Sequence, residues 1–418
     1  MNRWISVRLE DVAEVFNGKT PSKAEQRNNG HPVLKIKDVT EHGQFKGAFE
    51  SFVDYELAAK HRNRWIRCGD ILVLNAAHNA DYVASKLYFA DDSMNDVLPT
   101  GEWLLVRPNE ARVLPGYVNY WFRTPSTKRE VKFLVKGIHL YPKDVAKLEI
   151  PLPPIDEQRR IIDLLSRVEG IVRLRREAQK KAAEIIPALF LDMFGDPATN
   201  PKDWDVVSLG DVFAEPPILG TMAKPSSTGG TWLDLRVANI QGGELTLADK
   251  KWLELGPCEV ERFSLRVGDI LLARAIGSLD HLGKAVIVEP SGQWTFDSHL
   301  MRIRLDKCRM LPSFLKAFLE SASGREEFLK HTRRSAVQFN INGKEVRKIA
   351  VLLPPVSEQG TFARRCQAVS AVMVLQGSAL HRAEAAFNAL LARAFSEAGQ
   401  ARGETQREVA VALTDLAD

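Results

Sequence analysis

The stretch at residues 148–160 reads LEIPLPPIDEQRR, and a second stretch at 349–361 reads IAVLLPPVSEQGT. In both, two consecutive prolines are followed three residues later by Glu-Gln. Pro153 corresponds to Pro354, an offset of 354 − 153 = 201 residues, and this register continues without a gap through the segment that follows. At this offset, apolar residues of the first copy align with apolar residues of the second copy. Such self-similarity indicates that the chain contains two copies of one unit.

Weaker correspondences extend the repeat upstream. The tetrapeptide Gly-Asp-Ile-Leu occurs at 69–72 and again at 268–271, and each is expected to be a turn leading into a short strand. A Leu-Pro pair at 114–115 and another at 311–312 begin segments with helical spacing. Each copy is therefore a mixed α/β region of about 150 residues followed by about 45 residues that keep their register.

The segments that keep register have helical periodicity. From Asp156 to Met193 apolar residues recur at three- and four-residue steps, which predicts a long amphipathic helix of roughly 55 Å. Pro187 is expected to kink this helix and Gly195 to end it, whereas the second helix, at 357–395, has Asn388 in place of the proline. The helices are thus predicted to differ near their C-terminal ends.

The two helices are expected to pack on each other, because their apolar stripes match position for position. The alternative is that each helix packs only on its own globular region. The residues predicted to form this packing are Ile161, Leu165, Val168, Val172, Phe362, Cys366, Val369 and Met373.

Composition restricts the class of protein. A chain of 418 residues with 45% hydrophobic content is expected to form two or more packed domains. The net charge of +4 permits a nucleic-acid partner without requiring one. The four cysteines are widely separated, so they predict neither a metal site nor a disulfide framework. The sequence shows no secretory signal or membrane-spanning run, and we expect a cytoplasmic location.

The stretch AEVFNGKT at 13–20 fits a loose form of the phosphate-binding loop. Such a loop needs a strand before it and a long helix after it. Here Leu9, Val12 and Phe16 have helical spacing, and the segment that follows is polar and broken by Gly30. The second copy has PPILG opposite Asn17–Pro21. A P-loop NTPase is therefore an alternative that the pattern disfavours.

The order and duplication of these motifs resemble the specificity subunit of type I restriction–modification systems. The resemblance covers nearly the whole chain and includes GKTPS at 18–22 and QFNINGKEV at 338–346. It implies a mixed α/β (α+β) fold with a pseudo-two-fold internal repeat, in which two target-recognition domains are joined by two long antiparallel coiled-coil helices. The implied segments are recognition domains at 1–150 and 201–350, spacer helices at 151–200 and 351–398, and a polar tail at 399–418.

The same resemblance implies sequence-specific binding to double-stranded DNA at a bipartite site. The subunit would be non-catalytic, and it would recruit two adenine-N6 methyltransferase subunits and two motor-nuclease subunits. S-adenosylmethionine, ATP and Mg²⁺ would bind to those partners and not to this chain. The Pro-Pro pairs lie in LPPI, EPPI and LPPV, none of which fits an Asn/Asp-Pro-Pro-aromatic methyltransferase motif. A coiled-coil scaffold that does not recognise DNA remains a second alternative.

DNA contacts are expected from basic and polar residues near GKTPS, in the loops after the two Gly-Asp-Ile-Leu strands, and near QFNIN. A metal or nuclease role for His78 and His281 is disfavoured, because neither loop has ligand spacing. The candidate residues are Lys19, Thr20, Ser22, Asn75, His78, Asn79, Lys86, Arg274, Ser278, His281, Lys284, Arg333, Arg334, Gln338, Asn340 and Asn342.

Overall fold

The computed structural model describes residues 4–224, 229–241, 243–247, 249–277, 279–289, 292–334 and 338–396. These residues divide into two units. The first contains residues 4–176 and 378–396, and the second contains Glu177–Gly377. The two variable regions lie in different units. The polar tail at 399–418 and the candidate Ser278 lie outside the described residues.

In the first unit, strands and short helices precede the long helix. The strands are β1 (Ile5–Arg8), β2 (Ala13–Asn17), β3 (Gln26–Arg27), β4 (His31–Leu34), β5 (Phe52–Val53), β6 (Ile71–Leu74), β7 (Leu87–Phe89), β8 (Leu98–Pro99), β9 (Trp103–Pro108) and β10 (Glu149–Leu152). The α-helices are α1 (Tyr55–Lys60), α2 (Pro115–Arg123), α3 (Pro125–Phe133) and α4 (Pro142–Val145). A four-stranded antiparallel sheet in the order β2–β9–β6–β7 forms its centre.

The predicted strand after Gly-Asp is β6, and both of its faces are buried. Gly69 has φ of +87°, a conformation that favours glycine in the turn before the strand. Ile71 and Val73 pack in one hydrophobic cluster, and Leu72 and Leu74 pack in another. Because successive side chains point to opposite faces, a run of four apolar residues suits a strand between two cores.

The first long segment comprises α5 (Ile155–Ala183) and α6 (Ile185–Phe194). The second unit begins within α5, at Glu177. Its strands are β11 (Val206–Ser208), β12 (Phe213–Leu219), β13 (Trp232–Leu235), β14 (Ile240–Gln241), β15 (Glu244–Leu245), β16 (Trp252–Leu253), β17 (Ile270–Ala273), β18 (Ala275–Ile276), β19 (Ala285–Ile287), β20 (Trp294–Phe296), β21 (Leu300–Leu305), β22 (Arg333–Arg334), β23 (Phe339–Asn340) and β24 (Ala350–Leu352). Its helices are α7 (Pro257–Phe263), α8 (Pro312–Glu320), α9 (Ala322–Lys330) and α10 (Gly343–Val346), followed by the long α11 (Val356–Ala394).

The second unit repeats the topology of the first. Its four-stranded sheet has the order β12–β21–β17–β19, which corresponds strand for strand to β2–β9–β6–β7. A parallel pair is also repeated, β4 with β8 and β13 with β20. Each variable region starts and finishes at one antiparallel pair, β1 with β10 and β11 with β24. The internal repeat read from the Pro-Pro-x-x-Glu-Gln segments is thus a repeat of the fold.

The predicted kink occurs near Pro187. The first long segment breaks at Glu184, between α5 and α6, and Ala183 is the residue whose carbonyl a proline at 187 would crowd. Gly195, with φ of +79°, ends α6. In contrast, α11 continues through Asn388 without interruption. The expected difference between the two segments is confirmed.

Within the first unit, α5 packs both on its own variable region and on the C-terminal part of α11. Ile161, Leu165, Val168 and Val172 share a hydrophobic cluster with Ala383, Phe387 and Leu391 of α11. Tyr120 contacts both Glu169 and Phe387, and Arg176 is paired with Glu384 at 2.6 Å. Residue numbers rise along α5 as they fall along α11, so the two segments are antiparallel there.

The second unit buries less of α11 than the matching stripes indicate. Phe362 is fully buried and contacts the rings of Phe190 and Phe194 in α6. Cys366, Val369 and Met373, all expected in the packing, are only half-buried. Cys366 packs at the border of the second unit's hydrophobic cluster, whereas Val369 and Met373 lie outside it. The part of α11 that packs on α5 within the first unit is instead its C-terminal end, at Ala383, Phe387 and Leu391.

Candidate nucleic-acid interface

A turn at one end of the first sheet brings several polar segments together. There β2 ends at Asn17, β6 ends at Leu74 and β9 begins at Trp103. The Gly18 N–H donates to the Trp103 carbonyl at 2.9 Å, and the Lys19 N–H donates to the Pro99 carbonyl at 2.8 Å. The hydroxyl of Thr20 accepts a hydrogen bond from the Gly101 N–H at 2.8 Å. These bonds fix the backbone of residues 18–20 and leave the Lys19 and Thr20 side chains exposed.

Gly18 is packed too closely for any side chain. An added Cβ would lie 2.3 Å from the carbonyl oxygens of both Pro99 and Thr100. The N–H groups of Gly18 and Lys19 are already bonded within the protein, so they are not directed at a phosphate. The helix that follows is a 3₁₀ turn of three residues, Lys23–Glu25, and not the long helix that a phosphate-binding loop needs.

The segment before Gly18 is not the helix that its spacing predicts. The segment before Gly18 is the strand β2, although the spacing of Leu9, Val12 and Phe16 is helical. The reason is local: Leu9–Asp11 is a 3₁₀ helix, and the strand begins two residues after it. The helical spacing therefore joins residues from two different elements.

The second unit has the same turn, at a position that the sequence comparison missed. The Gly220 N–H donates to the Leu300 carbonyl and the Thr221 N–H to the Phe296 carbonyl, at 3.2 and 2.9 Å. An added Cβ on Gly220 would lie 2.2 Å from two carbonyl oxygens. Gly220 thus corresponds to Gly18, and PPILG is not a simple replacement of the GKT stretch. The strand before it, β12, has seven residues against five in β2, and two register shifts accommodate the difference.

Paired charges hold equivalent strands in both sheets. Asp70 accepts two hydrogen bonds from the guanidinium of Arg107, at 2.9 and 2.7 Å. Asp269 accepts two from Arg304, at 2.7 and 2.8 Å. Both aspartates are buried, and bidentate pairing compensates for the loss of water around them. The Asp of each Gly-Asp-Ile-Leu motif therefore anchors the turn to the neighbouring strand.

The candidates of the first unit separate into exposed and buried groups. Lys19, Thr20, Ser22, His78 and Asn79 are exposed at or near this end of the sheet. The backbone N–H of Ser22 also donates to Glu25 at 2.7 Å, and the side chain of Asn79 accepts from the Asp81 N–H, so these two residues shape their loops.

Asn75 and Lys86 do not lie on the surface, contrary to expectation. The Asn75 amide donates to the Asn17 side chain at 2.8 Å and to the Gly101 carbonyl at 3.0 Å. The Lys86 ammonium donates to the Val39 carbonyl at 2.8 Å. Both residues are buried, and their hydrogen-bonding groups are used inside the protein. Asn75 positions the turn at Gly18, and Lys86 holds the 36–39 segment.

Strand pairing in the second unit gathers candidates that are distant in sequence. The strands β18, β23 and β22 form a three-stranded sheet in which Ala275 pairs with Asn340, and Asn340 pairs with Arg333. Arg274 immediately precedes β18, and its guanidinium donates to the Ser298 carbonyl at 2.7 Å. The Arg334 guanidinium lies over the ring of Phe339, with 5.4 Å between the Cζ atom and the ring centroid. Arg274, Arg333, Arg334 and Asn340 thus belong to one edge.

The remaining candidates of the second unit have structural contacts of their own. Asn342 caps α10, and its side-chain oxygen accepts from the Lys344 and Glu345 N–H groups at 2.9 and 3.0 Å. The Nδ1 atom of His281 and the Lys284 ammonium are 2.6 Å apart. Gln338 is exposed on the segment leading into β23. His281 and Lys284 lie on the loop between β18 and β19, which corresponds to the loop of His78 and Asn79.

Two further observations concern the described part of the chain. It contains no group of three or more His, Cys, Asp or Glu side chains arranged to hold a metal ion. No described helix combines the length and the apolarity needed to cross a lipid bilayer.

Comparisons with known proteins identify relatives over the length of the chain. The family model described as the type I restriction modification DNA specificity domain matches residues 1–184. The type I restriction enzyme EcoKI specificity subunit of Escherichia coli (strain K12) is 23% identical over 417 residues, which cover 94% of this chain and 88% of that protein. The StySPI specificity subunit of Salmonella potsdam is 21% identical over 416 residues, with the same coverage of both chains.

Solved structures share the fold. A chain from a study of the complex assembly and conformational transition of the type I R-M system has a TM-score of 0.58 and 19% identity, and the match covers 95% of this chain and 99% of that one. The type I restriction–modification S subunit from M. genitalium has a TM-score of 0.51 and 13% identity, covering 94% of this chain and 96% of that one. These comparisons do not support the NTPase or scaffold alternatives. Residues 1–184 thus match the type I restriction modification DNA specificity domain, and over nearly its whole length the chain is similar to the specificity subunits of type I restriction enzymes.

Proposed function

We propose that this chain recognises a bipartite DNA sequence for a type I restriction–modification complex and that each unit reads one half of it. The observation that carries the proposal is the repeated turn. Gly18 and Gly220 occupy equivalent positions at the end of equivalent sheets, and basic and polar side chains surround both. Two copies of one reading surface are what a two-part site requires.

The exposed side chains support contacts to both phosphates and bases. Lysine and arginine are the usual partners of phosphate oxygens, whereas arginine, asparagine, glutamine, serine and threonine can read base edges. The proposed contact residues in the first unit are Lys19, Thr20, Ser22, His78 and Asn79. Those in the second unit are the exposed His281, Arg333, Arg334 and Gln338 and the partly exposed Arg274, Lys284 and Asn340.

The two surfaces differ in the residues that they present, which favours an asymmetric site. Lys19 and Thr20 follow Gly18, whereas Thr221 and Met222 follow Gly220. The second unit carries Arg333 and Arg334 on a strand, where the first unit has only the isolated bridges between Ala76, Lys136 and His139. Because the two surfaces present different hydrogen-bonding side chains, the two half-sites should differ in base sequence.

The long helices are proposed to set the distance between the half-sites. Residues 151–200 and 351–398 would form this spacer, and residues 1–150 and 201–350 would form the recognition domains. The 39 residues of α11 correspond to a helix of roughly 58 Å. Its length and its packing against α5 within the first unit suit a stiff spacer.

The partners are proposed to be two methyltransferase subunits and two motor-nuclease subunits in a cytoplasmic complex. S-adenosylmethionine, ATP and Mg²⁺ would be bound by those subunits. The helix surface offers apolar area for protein contacts, since Val372, Val374 and Leu375 of α11 are each more than half exposed. Exposed apolar residues grouped on a helix are typical of protein interaction sites.

The proposed function is tested by expressing the chain with methyltransferase partners in a host that lacks the system. Genome-wide mapping of methylated adenines should show one two-part motif with a fixed gap between its halves. A host that acquires no new methylated motif, although the subunits co-purify as a complex, would contradict the proposal.

A further inference from the structure

A basic segment that the sequence analysis did not single out lies beside the Gly18 turn. It comprises Lys60 at the end of α1 and the 3₁₀ helix Arg62–Arg64 that follows. The guanidinium of Arg64 donates to the carbonyl oxygens of Asn17 and Gly18, each at 2.9 Å. The 3₁₀ helix is therefore attached to the turn that carries Lys19.

Aromatic packing fixes this segment further. The Trp65 indole N–H donates to the Ala58 carbonyl at 3.0 Å, and the ring stacks on His31 with 4.7 Å between centroids. The Arg62 guanidinium lies over the same indole, 5.4 Å from the ring centroid. A guanidinium held in this way loses less conformational freedom when it binds a ligand.

Positive charges outnumber the carboxylates around this surface. Burial lowers the pKa of His61, and the charges of Lys19, Arg64 and Lys60 lower it further, while Glu25 opposes them. Glu25 is itself bonded to Ser22. Within the part of the chain that the structure describes, Lys19, Lys60 and Arg62 have no carboxylate within 4.0 Å. All three are exposed.

The equivalent segment of the second unit, α7, carries Glu259 and Glu261 together with Arg262, so it is acidic overall. The Gly-Asp-Ile-Leu motifs place equivalent residues of the two copies 268 − 69 = 199 positions apart in this region. A shared hydrogen bond supports this offset: the Ile66 N–H donates to the Val97 carbonyl, and the Leu265 N–H donates to the Trp294 carbonyl. At that offset Glu259 replaces Lys60 and Glu261 replaces Arg62. Both glutamates are exposed, on or beside α7. Two basic positions in one unit are thus acidic in the other.

We propose that Lys19, Lys60 and Arg62 form a surface of the first unit that binds the phosphate backbone of duplex DNA beside its half-site. The second unit has no such surface at α7 and approaches its half-site through the edge that carries Arg333 and Arg334. This inference rests on the proposed function, and it adds that the two readers hold the DNA backbone with different elements.

The test uses the full chain in complex with its methyltransferase subunits. Binding to a fluorescent duplex with the cognate motif is measured from 50 to 300 mM salt for wild type and for the Lys60→Gln/Arg62→Gln double variant. Each lost phosphate contact lowers the slope of log affinity against log salt by about 0.9, so the double variant should lose about 2 units of slope. Affinity at the lowest salt concentration should fall roughly tenfold or more.

Two control variants distinguish this surface from general charge. Lys180→Gln/Lys181→Gln removes two exposed lysines from the last turn of α5, in the second unit, and should leave the slope unchanged. Glu259→Gln/Glu261→Gln should not lower it either. Ethylation interference should show phosphates released at only one half-site when Lys60 and Arg62 are changed.

The outcomes separate the two claims. If wild type prefers its motif but the Lys60→Gln/Arg62→Gln variant keeps the full salt slope, the phosphate surface is wrong and the proposed function stands. The unit-specific claim fails if phosphates are released equally at both half-sites. A wild-type complex without any sequence preference contradicts the proposed function itself. Melting curves of each variant should match wild type, because the changed side chains are exposed.

Discussion

The side-chain oxygen of Gln158 accepts a hydrogen bond from the backbone N–H of Leu114 at 2.8 Å. Its amide nitrogen donates to the Pro153 carbonyl at 2.9 Å, and the residue is fully buried. Gln359 makes the same bonds to Leu311 and Pro354, both at 2.8 Å. The glutamine of each Pro-Pro-x-x-Glu-Gln segment therefore fastens the start of a long helix to the start of α2 or α8.

Gln158→Ala should destabilise the first unit by about 1–3 kcal/mol, because it leaves the partly buried Leu114 N–H and the buried Pro153 carbonyl unpaired. Denaturant unfolding measures the change, and Gln359→Ala should give a similar loss in the second unit. Arg159→Ala is the control, since its side chain is exposed and pairs with Asp156, one turn earlier on the same helix. Equal stability of Gln158→Ala and Arg159→Ala would show that the bond is not important.

Gly18→Ala should weaken DNA binding and lower stability, because the new methyl group would have to displace the carbonyl oxygens of Pro99 and Thr100. Affinity for the cognate duplex and the melting temperature are the measurements. Gly170→Ala, in α5, is the control, since its Cβ would meet no atom within 4 Å. An ATPase activity that disappears with Gly18→Ala would instead restore the phosphate-loop reading.

Leu165→Asp should cost several kcal/mol of unfolding free energy, since it places a charge in the cluster that joins α5 to Phe387 and Leu391 of α11. Leu174→Asp on the same helix is the matched control, because Leu174 is 58% exposed. Chemical denaturation of both variants would show whether the contact between the helices is a real contribution to stability. Similar midpoints for the two variants would contradict it.

Asp234 should make the second unit less stable as the pH rises from about 4 to 7. Burial and the neighbouring Asp297 raise its pKa from 3.8 to about 7, while Arg236 lowers it. The folded protein therefore binds more protons than the unfolded chain in this range, and stability falls with increasing pH until the folded pKa is passed. Asp234→Asn should flatten this dependence in urea midpoints measured across the range.

A second variant tests the same carboxyl group through the repeat. Asp234 pairs with Thr295 on β20, and the corresponding pair in the first unit is Val33 with Leu98. The Asp234→Val/Thr295→Leu variant copies that apolar pair and should also lose the pH dependence. If the unfolding midpoints of wild type and Asp234→Asn change with pH in the same way between pH 4 and 7, Asp234 is ionised in the fold and the prediction is wrong.

Sequence reasoning succeeded where local chemistry determines structure. The Pro-Pro-x-x-Glu-Gln repeat located both long helices, Pro187 located the break before α6, and the Gly-Asp turns located β6 and β17. Prolines and glycines restrict the backbone directly, so their effects can be predicted without knowledge of distant contacts. The Leu-Pro segments were also helical, although Thr124-Pro125 divides the first into α2 and α3.

The missed features depend on contacts between distant residues. Asn75 and Lys86 are polar residues in a predicted loop. Only the folded chain shows that both are buried, with Asn75 bonded to Asn17 and Lys86 bonded to the Val39 carbonyl. Gly220 was hidden because the two register shifts in β12 change the offset between the copies. Lys60 and Arg62 align with Glu259 and Glu261 when the copies are compared at the offset of the Gly-Asp-Ile-Leu motifs. This difference in charge is visible in the sequence alone.

The central claim is that each unit reads its own half of one DNA site, and a domain exchange tests it most directly. Residues 204–347 are replaced by the equivalent region of another specificity subunit, and methylated adenines are mapped in the host genome. One half of the methylated motif should change, while the other half and the gap between the halves stay the same. A motif that changes in both halves, or one that does not change although the chimera is folded and active, would contradict the account.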